Sequence, residues 1–424
     1  MSSSVIHTES LAKNYRPAEN LVRIPELDGL RGLAIFLVIL CHYVGNADHI
    51  RLGLWIHRAL SVFTVGWSGV DLFFVLSGFL IGGILLDART SPHYFRAFYM
   101  RRVFRILPLY YAWTLLFGIF VLLALWLAPG RTPLTSRDLL QVPLHLLFLQ
   151  DFWIGMQRWP WIWFVVTWSL AVEEQFYLLA PFLIRYISIR KLMRLLVFII
   201  AIAPLLRFVI YRWTGNPFSA GIPMPCRADA LAWGILLAVA WRQPSFRTFL
   251  ASHSTLLSRT VLCLFLGVAA LSWWLARPPG TVTLTIGITW LAAFYSCLVL
   301  LVLSRSGGRI AATMRWRWLG KLGAISYCVY ILHDTFNQIA HRLLLHSEPQ
   351  LYDLRGLAVT LLALVLTIAL AALSMRYFED PLIRRGHRYS YHEGSAAAPG
   401  SVSSPVPSPS SDPGRFSLPE ASRP

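Results

Sequence analysis

Apolar runs of roughly membrane-spanning length recur from residue 30 to residue 376, at about 30–46, 65–86, 103–127, 163–187, 195–213, 226–241, 257–275, 283–303, 322–342 and 356–376. A hydrocarbon core of about 30 Å is crossed by about 20 helical residues. The expected fold is therefore all-α, a polytopic transmembrane bundle of about ten spans. Composition agrees: 56% of the 424 residues are hydrophobic and 14% are charged, against about a quarter charged in a soluble domain.

The polar start carries Lys13, Arg16 and Arg23, and no small-residue cleavage pattern follows the first apolar run, so that run reads as an uncleaved span. The net charge of +18 does not indicate nucleic acid, because the cations sit in short loops and are not gathered on one soluble face. In a bilayer such loops set orientation. With ten crossings every rich Lys/Arg cluster, among them Arg89–Arg105, Arg185–Arg194 and Arg305–Lys321, falls on one side, so both termini are expected in the cytoplasm. A piece at about 140–153 would break that agreement as a crossing and is expected to be re-entrant or interfacial. Three regions result: residues 1–26 as a cytoplasmic tail, 27–388 as the membrane domain, and 389–424 as a disordered Ser/Pro-rich tail. The five cysteines lack paired spacing, which points to neither a disulfide framework nor a zinc site, and no metal is implied.

Charge inside apolar segments carries the chemistry. In "LDGLRGLAIFLVILCHYVG" Arg31 and His42 lie eleven residues apart, roughly 16 Å along a helix. Such residues are costly within a span unless they meet a cavity or partner. In "YMRRVFRILPLYY" Arg102 and Arg105 share a helix face beside Arg101. The patch suits a ligand with several phosphates, while anchoring at the inner surface and attraction to anionic membrane lipid stay open. "TWSLAVEEQFYLLAPFLI" buries Glu173 and Glu174, and at about 100° per residue one of the two is expected to face a given cavity. Asp71, Arg227 with Asp229, and His333 with Asp334 are weaker signals: the second reads as a local charge pair, and the third as a core network or a site. There is no Walker A loop, HExxH or GxSxG, and the spacing from His42 to Asp48 misses HxxxxD by one residue.

Together "LDGLRGLAIFLVILCHY", "GVDLFFVLSGFLI", "RRVFRILPLYY", "WSLAVEEQFY", "ISYCVYILH" and "RYFEDPLI" resemble, in order, the acyltransferase 3 family of multi-span membrane acyltransferases, over residues 24 to 385. The resemblance implies a multi-pass protein of the bacterial inner membrane. It would pass an acyl group, acetyl from acetyl-CoA in the first instance, from cytoplasmic acyl-CoA to a hydroxyl of a carbohydrate, glycolipid or similar acceptor. By matching position it implies His42 as catalytic histidine with Arg31 as its partner, Glu173 and Glu174 as the acidic pair, and Arg102 and Arg105, with Arg101 beside them, as the acyl-CoA site. Two departures are visible. Asp334 follows His333 where the family has a more apolar run, and no hydrolase-like domain follows, so no second activity is expected. The alternative class is a transporter using the buried charges as a substrate pathway.

Overall fold

The computed structural model describes residues 24–127, 136–156, 165–275 and 280–391. Helix α1 (Pro25–Leu40) places Pro25 in its first turn and runs on through a π-helical turn, Cys41–Gly45. There the missing proline N–H costs nothing. The other long helices are α2 (Gly69–Asp87), α3 (Tyr94–Leu127), α4 (Trp168–Tyr186), α5 (Ile189–Thr214), α6 (Met224–Trp241), α7 (Ser254–Leu275), α8 (Ile288–Ser304), α9 (Ser326–Leu345) and α10 (Leu354–Ser374). A short α11 (Asp380–His387) follows.

All ten expected runs are helical over the residues described. Among the described residues seven helices are long and apolar enough to cross a membrane, and an eighth span arises if Pro244–Ser252 and Ser254–Ala270, bent by 79°, count as one. The remaining two are α4 and α9, of 19 and 20 residues. They fall short on apolar character because they carry the Glu173–Glu174 pair and a row of polar side chains. The protein is thus an all-α, multi-pass membrane protein. The piece at 140–153 is broken into two short helices, Gln141–Leu146 and Gln150–Met156. At the break Phe148 takes a left-handed backbone (φ 53°), and neither helix is long enough to cross.

Helix α2 is the axis of the bundle. The apolar stretch that contains it is 78% buried, whereas that of α5 is 17% buried and presents Val197, Phe198, Leu205 and Phe208 outward. Glycine sets the closest crossing: a Cβ at Gly78 would overlap the Leu231 carbonyl of α6, and one at Gly234 would overlap the Val75 carbonyl of α2. Small residues of this kind let membrane helices approach backbone to backbone.

The last described residues fold back on α3. Arg101 donates from Nε to the Tyr389 carbonyl at 2.9 Å, and Phe104 stacks on Tyr389 at 6.1 Å. Packed structure therefore reaches Tyr391, past the expected boundary at 388. The rest of both expected tails, residues 1–23 and 392–424, lies outside the described residues.

Candidate active site

A cavity of about 90 Å³ opens between α1, α2, α3, α4 and α9. Its charged lining is Arg31 from α1, Arg102 and Arg105 from α3, and Glu173 and Glu174 from α4. Residues remote in sequence meet here because each helix turns its one costly polar edge inward. Arg102 and Arg105, three apart, share that edge as helix geometry requires. The Arg102 guanidinium lies 5.5 Å from the Tyr177 ring centroid and 5.9 Å from that of Phe98, within cation–π range. Its Nε is buried and without a hydrogen-bond partner among the described residues.

Two expectations differ from what is seen. Both glutamates line the cavity, where one was expected. Glu173 points into it and accepts from Ser77 Oγ at 2.7 Å and from the Tyr177 hydroxyl at 3.3 Å. Glu174, a step of about 100° away, sits at the edge, shared with a second cavity of about 240 Å³ lined by Val103, Leu107, Leu147 and Phe148. Arg101 is not part of the lining. Rotated by one residue from Arg102, it turns to the C-terminal segment, where its guanidinium lies 4.9 Å from the Tyr391 ring.

His42 stands outside the lining, in the π-helical turn of the helix that carries Arg31. Its Nδ1 donates to the Val38 carbonyl at 3.0 Å, and its ring meets that of His333 edge to face at 4.8 Å. The Asn337 amide donates to the His42 carbonyl at 3.4 Å. Tyr330 links the two levels, because it lines the cavity and its ring lies 5.6 Å from His333.

Residues 24–376 match the acyltransferase 3 family, described as an acyltransferase domain. The chain belongs to that family. Three relatives illustrate the likeness. The O-acetyltransferase OatA of Staphylococcus aureus (strain NCTC 8325 / PS 47) is 25% identical over 401 residues, 89% of this chain and 59% of the relative. The putative peptidoglycan O-acetyltransferase YrhL of Bacillus subtilis (strain 168) is 27% identical over 403 residues, 88% of this chain and 57% of the relative. The peptidoglycan O-acetyltransferase OatA of Listeria monocytogenes serovar 1/2a is 25% identical over 382 residues, 86% of this chain and 56% of the relative. The chain thus spans less than two thirds of the length of these relatives. No solved structure matches.

The cavity wall also includes residues of α9 that carry no charge. Ser326, Tyr327 and Tyr330 of α9 line the cavity, and over the next two turns His333, Asp334, Asn337 and Gln338 continue the same edge. The signal was present in the sequence as a polar stripe at 326, 327, 330, 333, 334, 337, 338 and 341, the three-and-four spacing of one helix face. Beside the cavity the expected Arg227–Asp229 pair is replaced by two crossed pairs. Arg227 meets Asp71 at 2.9 Å, and Arg207, which the sequence reading passed over, meets Asp229 at 3.0 Å. One turn of α6 cannot satisfy both its own charges, so each finds its partner on a neighbouring helix.

Proposed function

We propose that this protein transfers an acyl group, acetyl in the first instance, from cytoplasmic acyl-CoA to a hydroxyl of a carbohydrate acceptor of the peptidoglycan type, in a bacterial inner membrane with both termini cytoplasmic. One observation carries the reading. A single cavity gathers three guanidinium groups and two carboxylates from three helices, and the helix that supplies Arg31 supplies His42 eleven residues further on. Guanidinium forks suit the phosphates of the donor. Glu173 and Glu174 limit the repulsion between the cations, so the cluster can stand without ligand.

His42 is suited to act as general base. A carbonyl accepts only from N–H, so the Val38 contact leaves the proton on Nδ1 and the lone pair on Nε2. In the proposed step Nε2 takes the proton of the acceptor hydroxyl as its oxygen bonds to the thioester carbonyl carbon. The carbon–sulfur bond then breaks, and the imidazolium returns the proton to the leaving thiolate. The names of the relatives support an O-acetyl group and a glycan acceptor.

The test uses the full chain in nanodiscs with radiolabelled acetyl-CoA. Wild type is expected to release or transfer label, His42→Ala to bind acetyl-CoA without turnover, and Arg102→Ala/Arg105→Ala to lose binding. Full turnover by His42→Ala would exclude the mechanism, and a folded wild type that neither binds nor turns over acetyl-CoA would point to another acyl donor or to the transporter class.

A further inference from the structure

The His42 ring has a second imidazole beside it, from a helix more than 280 residues away in sequence. Three contacts hold the two rings at one level. The Tyr43 hydroxyl donates to the His333 carbonyl at 2.9 Å, the Asn337 amide donates to the His42 carbonyl at 3.4 Å, and the rings meet at 81°. His333 is fully buried, and its Nδ1 lies 2.7 Å from the Tyr330 carbonyl and 3.2 Å from that of Val329. Both neighbours are acceptors, so Nδ1 carries the proton and Nε2 carries a lone pair. That Nε2 is buried without a hydrogen-bond partner among the described residues. A buried acceptor left unmade is costly, which raises the question of which donor it awaits.

We propose that His333 is a positioning residue for His42: its ring edge holds the His42 imidazole in place, and its Nε2 accepts the hydrogen bond of the proton that His42 Nε2 takes from the acceptor hydroxyl. The inference rests on the acyl-transfer reading above. In the resting state both Nε2 atoms are lone pairs and have nothing to exchange. Once His42 is protonated, its N–H has an acceptor on the neighbouring ring, and the proton stays on His42 until the thiolate removes it. The π-helical turn serves the same end, since one extra residue in the turn changes the direction in which His42 leaves α1.

Two variants separate this role from packing. His333→Phe keeps an aromatic edge but has no acceptor. His333→Gln loses the ring, yet its amide can donate to the Tyr330 carbonyl and present an oxygen where Nε2 stands. With radiolabelled acetyl-CoA and soluble peptidoglycan fragments, His333→Phe is expected to lower kcat by about tenfold or more with the acetyl-CoA KM within about twofold, and His333→Gln to recover much of the loss. Wild-type kcat in His333→Phe would overturn the proposal, as would equal loss in both variants with a raised KM. A separate readout needs no turnover: nitrogen-15 histidine spectra of the nanodisc protein, assigned with the His42→Ala and His333→Phe variants. Both rings are expected as Nδ1–H tautomers, and an Nε2–H tautomer at His333 would overturn the arrangement even if transfer itself failed.

Discussion

A guanidinium lays two parallel N–H donors along a phosphate edge, which a lysine ammonium cannot do. Arg102 and Arg105 present that fork to the cavity, while Arg101 spends its own on Tyr389 and Tyr391. A charge-assisted hydrogen bond contributes about 1.5–3 kcal/mol, so Arg102→Lys and Arg105→Lys should each raise the acetyl-CoA KM by roughly tenfold or more, although net charge is unchanged. Arg101→Lys should leave KM within about twofold. Titration of label release against acetyl-CoA concentration measures all three, and an Arg101→Lys effect as large as the others would return Arg101 to the donor site. The charged residues of the cavity were legible in the sequence for a physical reason: an ionised group in an apolar run has no cheap structural explanation. His333 was legible only as either a core network or a site, because a buried imidazole is as often a satisfied core group, and its pairing with His42 depends on contacts between distant helices.

At the scale of elements, the crossed pairs join α2 to α6 and α5 to α6 beside the cavity. Arg207 also donates to the Cys226 and Thr285 carbonyls, and Thr289 donates to Asp229 at 2.7 Å. Both side chains of the Arg207–Asp229 pair are fully buried. Removing one partner strands the other charge, at about 3–5 kcal/mol, so Arg207→Ala should lower thermal stability strongly. Arg342–Glu348 is the contrast, with side chains 43% and 66% exposed, where Arg342→Ala should cost less than about 1 kcal/mol. Thermal unfolding in detergent, followed by tryptophan fluorescence, compares them; equal shifts would mean that the buried pair carries no special weight. Helix identity was plain from apolar runs, but pairing was not, since Arg227 and Asp229 are close in sequence and each is bound elsewhere.

For the whole molecule, orientation follows from where the cations lie. On the ten crossings expected from the sequence every cluster would fall on one side, and on that reading a folding-dependent fluorescent reporter should be bright in the bacterial cytoplasm when fused at either end of the chain. Opposite results at the two ends would require an odd number of crossings and remove α4, α7 or α9 from the count. The sequence by itself determined the all-α membrane fold, because apolar length is a local property that lipid reads directly, and it determined most of the charged site, because charge in such runs is conspicuous. Tertiary structure alone decided that both glutamates share one cavity, that Arg101 turns away from it, that the buried ion pairs cross between helices, and that His42 stands against His333. Each of these depends on helix rotation and on close packing between segments hundreds of residues apart, which no local pattern encodes.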